Sequence, residues 1–519
     1  MVKNDKELDK SLTLLVKGSI IVLIGVFLSK LLTYIYKIVI ARSFGPENYG
    51  LFSLALIIAT LFSTVASLGL SEGILRYTSL YSKSENLKKV KPLLKFSIAF
   101  SCTSGILFGF ILFIFSNLIS IKIFNDPSLV IYLKYFSIGI PIILISNLFL
   151  SIIKANMQII RYTFILNILQ NTIRIIGLFI FIFLGLKSHA IIGSYLLGII
   201  SILIGSYIGA RIYILKIINQ KDIGPPYKRS LKKEFIAYSW PIIFVGFIGT
   251  VLYWIDSLVI GYLIDTTSVG IYAVAFTIVS LLSIAPELFM QMFLPVIIKE
   301  YSDNNLDVIT QISKQVSKWI GLINIPIFTL IVVFPETIIT LLFGEQYLGA
   351  TESLQILAIS GFLSSFSGIN TSLLSMKGKS KSILVTLFIA SIINLILNFL
   401  LVSSYGINGA AMATTFIWFI NLIAFSIQTY KFTGIFAFRR KLALLLGLSL
   451  IPGLILFIFA KYFKDSLTGI VIGVLAYCLV YLILVMLSKS LDKNDYTLIK
   501  KIIIYLKSKG FKGQTQNPI

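Results

Sequence analysis

The sequence predicts an all-α integral membrane protein of about 14 transmembrane helices. Two six-helix lobes are related by a pseudo-two-fold axis along the membrane normal, and two extra helices follow at the C-terminal side. Three observations predict this fold: apolar runs recur from end to end, basic residues gather in alternate loops, and a repeat appears at an offset of about 220 residues.

The apolar runs come first. Hydrophobic residues make up 57% of the 519, and the mean hydropathy is +0.95. A soluble domain is nearer about 45–50% apolar, and a membrane barrel would show alternating segments of about ten residues. A bilayer core of about 30 Å takes roughly 20 helical residues. On that ruler spans fall near 15–40, 49–73, 93–116, 129–152, 163–185, 190–215, 236–263, 269–297, 319–343, 351–375, 382–402, 409–429, 442–460 and 467–488.

Charge sets the orientation. The formal net charge is +24, but the basic residues fall in short clusters between apolar runs, not in one patch, so no nucleic-acid partner is expected. With the N-terminus inside, 36 of the 45 Lys and Arg lie in inside segments and six lie outside. That asymmetry places both termini in the cytoplasm of a multi-pass cell-membrane protein.

Few residues are available for metal or redox chemistry. Cys102 and Cys478 both sit in apolar runs and His189 is the single histidine, so neither a disulfide framework nor a thiolate or His-rich metal site is expected. No cofactor is implied. Residues 1–13, with Lys3, Asp5, Lys6, Glu7, Asp9 and Lys10, read as a cytoplasmic lead-in. The run that follows is too long for a signal-peptide core.

The repeat divides the chain. IARSFGPENYGLFSLA (40–55) lies over IGYLIDTTSVGIYAVA (260–275) without a gap, so that Gly50 meets Gly270, Phe52 meets Tyr272 and Ala55 meets Ala275. Further on, GLKSHA (185–190) lies over GINGAA (406–411) at nearly the same offset. Six spans per half gives both halves the same topology, hence an axis along the membrane normal. The expected division is 14–215 for the N-lobe, 216–235 for a basic cytoplasmic linker, and 236–430 for the C-lobe. Spans 13 and 14 then take 431–488, and 489–519 form a basic tail.

Polar residues inside spans are the candidate site, because ionisable groups there cost at least ~2.5–3.5 kcal/mol at mid-span and usually face a cavity. Lys30 and Lys37 in span 1 are seven residues apart, on one helix face and about 10 Å apart in height, with Thr33 and Tyr34 on the same face. Lys37 is near enough to the outer end to snorkel, whereas Lys30 is mid-span. Span 5 carries Asn167, Gln170, Asn171 and Arg174 at helical spacing on one stripe. Arg174 offers a planar fork suited to phosphate, while the asparagines also fit interhelical hydrogen bonding. Asn394 and Asn398 form a shorter stripe on span 11, suited equally to lining a cavity or joining helices.

The intramembrane acids lie in the second half. Asp256 in span 7 and Glu287 in span 8 could pair with basic groups across the cleft or carry a coupling proton or sodium ion. Glu72 and Arg76, at i and i+4 in span 2, read as a local ion pair. Pro141, Pro241, Pro286, Pro326 and Pro335 fall in or near spans and would kink them.

Several of these stretches are similar to a known family. ARSFGPENYGLFSLA followed by SLGLSEGILRYTS resembles the start of polysaccharide flippases in the multidrug/oligosaccharidyl-lipid/polysaccharide exporter superfamily. WPIIFVGFIGTVLYWIDSLVIGYLIDTTSVGIYAVAF resembles their seventh and eighth spans, and YGINGAAMATT their connection between spans 11 and 12. The resemblance implies a V-shaped cavity between two six-helix lobes and transfer of polyprenyl-linked saccharides to the outer leaflet. It also implies that Lys30 or Lys37, and Asp256, line that cavity; Arg174 matches no family motif.

The expected function is therefore a flippase for a polyprenyl-(di)phosphate-linked oligosaccharide, not an enzyme. It would be a monomer working by alternating access, with membrane lipid and a coupling ion (H+ or Na+) as its other partners. The substrate-binding candidates are Lys30, Lys37, Arg174, Tyr34, Asn167, Asn171, Asn394 and Asn398; the coupling or charge-pair candidates are Asp256, Glu287, Glu72 and Arg76. A multidrug or cation antiporter of the same fold would want an acidic, aromatic cavity. A polyprenyl-dependent glycosyltransferase would want carboxylates in a large outer loop, and only Asp126, Asp265, Glu345 and Asp465 are scattered there. A lipid II-type flippase is a variant of the main reading.

Overall fold

A computed structural model describes residues 2–81, 87–220, 225–438, 444, 447–449, 452–456 and 467–487. The expected tail, 489–519, and most of the thirteenth span lie outside these residues.

Among the described residues, ten helices are long and apolar enough to cross a membrane. Two of them each hold a pair of expected spans. Helix α1, Val2–Ala66, bends at Gly45 (φ +80°), and the helix Ser380–Thr433 bends at Gly406 (φ +59°). A straight helix of 54 residues would run about 80 Å, far more than a bilayer, so the chain must fold back at these points. The loop expected at 41–48 is thus reduced to one non-helical residue. Gly45 adopts the left-handed backbone that a residue without Cβ tolerates, and Pro46 starts the next helix where its missing N–H is harmless. Twelve expected spans are accounted for in this way, and Leu467–Leu487 is the fourteenth.

The intervening elements are α2 (Leu70–Leu80), α3 (Leu87–Asn117), α4 (Leu129–Ala155), α5 (Ile159–Thr163), α6 (Gln170–Phe183) and α7 (His189–Ile218). Then come α8 (Pro225–Leu263), α9 (Thr266–Val279), α10 (Ile284–Ser302), α11 (Leu306–Val333) and α12 (Pro335–Leu342). Next are α13 (Thr351–Ser364) and α14 (Ser367–Met376), and Ser380–Thr433 is α15. Helices α3, α4, α6 and α7 pack with α1 as one group; α8, α9, α13, α14 and α15 pack as another.

The hydrophobic core shows how the two groups meet. At the end carrying Gly45, Gly185 and Gly406, a single core runs through both: Tyr49, Phe52, Phe136, Tyr272, Tyr347 and Ala410 belong to one cluster. At the opposite, basic end the core is split. One cluster holds Leu93, Leu148, Ile153 and Ile214, and a separate one holds Phe293, Ile320, Ile369 and Leu373. The first of these also takes in Leu231 and Phe235 of α8, so at this end α8 is tied to α2 and α3 while α10, α11 and α14 pack apart.

The repeat has a direct structural counterpart. A Cβ on Gly50 would lie 1.8 Å from the Thr266 carbonyl oxygen, and one on Gly270 would lie 2.0 Å from the Pro46 carbonyl oxygen. Gly50 and Gly270 are repeat partners, and so are Pro46 and Thr266. Reciprocal contact between equivalent residues is what a two-fold axis produces. Further polar contacts tie the same end. Arg42 Nε donates to the Leu342 carbonyl at 3.0 Å, and its Nη2 donates to those of Thr340 and Leu341. The Ala41 carbonyl accepts from Tyr347 Oη at 3.0 Å and Gln346 Nε2 at 3.3 Å.

Candidate functional site

The face of α1 with Lys30, Tyr34 and Lys37 lies against α9, α10 and the tight turn Ser280–Ser283 that joins them. The contacts form an antiparallel ladder. Lys37 Nζ donates to Thr277 Oγ1 at 3.2 Å, Tyr34 Oη and Ser280 Oγ are 3.0 Å apart, and Lys30 Nζ meets Glu287 Oε1 at 2.9 Å. Lower numbers on α1 meet higher numbers on the opposite strand of the seam, as antiparallel neighbours must. Ser283 Oγ also donates to Glu287 Oε1, at 3.1 Å.

The turn has a local cause. Pro286 has no N–H, so the carbonyl four residues earlier, on Leu282, loses its helical donor. Asn324 Nδ2 on α11 supplies a replacement at 2.8 Å. The kink is therefore hydrogen-bonded, and it sets Glu287 on the side that meets Lys30.

Lys37 has no carboxylate within ion-pair distance among the described residues; its one bond is to a hydroxyl. The side chains of Lys30 and Glu287 remain 30% and 42% exposed. This is a charged seam between the two helix groups, open to approach, in which the cations exceed the acids.

Span 5 departs from the expected single stripe. A π-helical turn, Phe164–Leu169, interrupts it and contains Asn167, which changes the register on which the stripe rested. Asn171 is buried, and its Nδ2 bonds the Asn167 carbonyl at 2.9 Å and Ser29 Oγ of α1 at 3.3 Å. It joins helices. Arg174 lies 4.8 Å over the Tyr195 ring, against Gly198, and its buried Nε has no hydrogen-bond partner among the described residues.

Asp256 is buried among helices, where the resemblance implied a residue lining a cavity. It is 4% exposed and enclosed by α8, α9 and α15. Its Oδ2 accepts from Tyr272 Oη at 2.5 Å and Thr414 Oγ1 at 2.6 Å, and its Oδ1 accepts from Asn398 Nδ2 at 2.9 Å. Asn398 Nδ2 also lies 3.0 Å from Asn394 Oδ1. The asparagine stripe of span 11 thus serves Asp256, through Asn398 directly and Asn394 behind it. Three neutral donors and no cation surround this carboxylate among the described residues.

Glu72 and Arg76 do not form the expected local pair. The Arg76 guanidinium lies 4.0 Å over the Tyr238 ring of α8. A planar guanidinium stacks well on an aromatic face, while a solvated i, i+4 pair contributes only a few tenths of a kcal/mol.

Sequence reading missed Thr277, Ser280 and Ser283, although with Glu287 they run at spacings of three, three and four. It also missed Tyr272 and Thr414. The signal for Tyr272 was present, since the repeat places it over Phe52, a swap that adds a hydroxyl inside one lobe only.

Two packed helix groups sharing one core at the Gly45 end, with a charged seam inside the membrane between them, define an integral-membrane transporter. The polysaccharide biosynthesis protein family matches residues 15–300, and the MatE family matches residues 241–400. The chain belongs to the polysaccharide biosynthesis protein family. A Shigella flexneri protein assigned as an O-antigen transporter is 23% identical over 395 residues, 74% of this chain and 89% of its own. Lipid II flippase MurJ of Bacillus subtilis is 22% identical over 482 residues, 85% of this chain and 87% of its own. Among solved structures, lipid II flippase MurJ in an inward closed conformation matches with a TM-score of 0.68 at 19% identity, over 90% of this chain and 98% of that one. An inward-facing MATE family multidrug transporter matches with the same TM-score, 0.68, at 14% identity, over 80% of this chain and 98% of that one.

Proposed function

We propose that the chain is a flippase for a polyprenyl-(di)phosphate-linked oligosaccharide, moving it from the cytoplasmic to the outer leaflet. The observation that carries this reading is the seam of Lys30, Tyr34 and Lys37 against Thr277, Ser280 and Glu287, two cations and several hydroxyls inside the membrane. The phosphate takes the lysines, where a low dielectric strengthens the attraction, with Arg174 of the same lobe as a further anchor. The glycan follows into the cleft and the prenyl chain stays in lipid.

The basic end is cytoplasmic, on the charge asymmetry of the loops. The Gly50–Gly270 contact then lies at the outer end. Rocking of the lobes closes the basic end and opens the Gly50–Gly270 end. The sequence contains no nucleotide-binding motif, so the drive is an ion gradient, the membrane potential or consumption of the product. An inside-negative potential favours outward transfer of an anion by about 2.3 kcal/mol per charge per 100 mV. Asp256, with Tyr272, Asn394, Asn398 and Thr414, is the coupling site for a proton or sodium ion.

Reconstitution tests the reading. In proteoliposomes, a fluorescent polyprenyl-diphosphate N-acetylglucosamine exposed on one leaflet should gain access to the other, and Lys30→Gln and Lys37→Gln should slow it at least about tenfold. Export of a cationic dye without movement of the lipid would overturn the reading in favour of an antiporter.

A further inference from the structure

The Lys30–Glu287 pair differs in construction from the enclosed acid of the C-lobe. Asp256 is sealed and accepts three hydrogen bonds. Glu287 receives both of its bonds, from Lys30 and Ser283, on Oε1; its Oε2 accepts none among the described residues. Both members of the pair are partly exposed, and the contact joins residues 257 apart, from α1 to α10. With both members partly exposed and one carboxylate oxygen open, this tie can be reached and replaced.

What lies beside it suggests the replacement. An apolar groove of about 380 Å³ runs along the seam, lined by Phe27, Leu31 and Ile35 of α1 and by Ile278, Leu281 and Phe343. Phe27 and Leu31 are 52% and 44% exposed. Tyr34 and Thr277, each a member of the ladder, also border this groove, which is therefore an apolar flank to the polar seam.

We infer that Glu287 is an internal stand-in for the substrate's phosphate: it neutralises Lys30 and holds α1 against α10 until a lipid phosphate displaces it, and the exchange opens the seam. The inference rests on the flippase reading. The Glu287 carboxylate carries one charge and occupies Lys30 alone, leaving Lys37 with a hydroxyl. The two lysines are about 10 Å apart in height, within the combined reach of their side chains around a diphosphate. A diphosphate satisfies both and outcompetes the carboxylate, whereas a neutral lipid offers nothing in exchange and leaves the seam shut. Ser283 remains to hold Glu287 after displacement. The residue therefore acts as a specificity determinant for anionic headgroups.

The test uses the full chain in phosphatidylcholine nanodiscs, with geranylgeranyl diphosphate as probe. Glu287→Gln should bind the probe about fivefold more tightly than wild type, since it removes a competing, partly solvated ion pair. Ser283→Ala should change binding little, because its bond to Glu287 is present on both sides of the exchange. Lys30→Gln should weaken binding, and adding Glu287→Gln to it should change nothing further. In a second readout, the probe should slow crosslinking between Leu31→Cys and Leu281→Cys, and Glu287→Gln should slow it without probe. Binding by Glu287→Gln no tighter than wild type, or a gain that persists in the Lys30→Gln background, would overturn the stand-in role while leaving the cationic cleft intact. Probe binding indifferent to both Lys30→Gln and Lys37→Gln would overturn the cleft as well.

Discussion

Gly50→Val should shift the transporter toward the state open at the Gly50 end. The Cβ it adds would start 1.8 Å from the Thr266 carbonyl oxygen and 3.0 Å from the Gly270 nitrogen, both backbone atoms that no side-chain rotation can move away. Ordinary contact begins at 3.4 Å, so α1 and α9 must part by about 1.6 Å. Overpacking of this kind costs about 1–3 kcal/mol. Because the cost falls only on the state in which these helices touch, the balance between states should move by roughly 5- to 150-fold. Spin labels read the change, in a background where Cys102 and Cys478 are serine. A pair at the exposed positions Glu47 and Leu348 should lengthen. A pair at Lys154 and Lys299, exposed at the basic end of the two lobes, should shorten. Distances identical to wild type at both ends in a folded Gly50→Val protein would refute the rocking of lobes about this contact.

Three further outcomes follow from the geometry. Lys37→Gln should leave the thermal midpoint unchanged or raise it, because Lys37 is a cation with only a hydroxyl partner; a large drop on thermal scanning would make it a structural residue. Asp256→Asn should fold, since Asn398 Oδ1 has no partner among the described residues and an amide flip can supply the acceptor the new side chain needs. Transport by that variant should no longer respond to an imposed proton or sodium gradient, and a wild-type response would remove Asp256 from coupling. Arg76→Lys should lower stability by about 0.5–1 kcal/mol by losing the stack on Tyr238, whereas Glu72→Gln, which breaks no ion pair, should be neutral on denaturant titration.

The parts of the fold legible in the sequence were those written in periodicity. Apolar runs gave the spans, and one offset brought Gly50 over Gly270, which the structure shows in contact. The lysine face of the first span was legible for the same reason, since seven residues make two helical turns. What periodicity cannot record is who stands opposite. The donors around Asp256 come from 16, 142 and 158 residues away, and only the tertiary fold assembles them. Local signals also lost to stronger local physics. GPEN reads as a loop, yet one left-handed glycine and a proline at the helix start make the whole reversal. The asparagine–arginine stripe of span 5 presumed an α-helix, and a π turn shifted it. The i, i+4 spacing of Glu72 and Arg76 promised a pair, and an aromatic ring from α8 took the arginine.

The central claim is that the lysines of the seam serve a lipid phosphate. Mass spectrometry of lipid extracts from cells depleted of the protein tests it most directly, with rescue by wild type, Lys30→Ala, Lys37→Ala and Arg174→Ala. The account predicts that one polyprenyl-linked glycan accumulates, that wild type clears it, and that the lysine variants do not. Absence of any such lipid, with depleted cells becoming sensitive to cationic drugs, would contradict it.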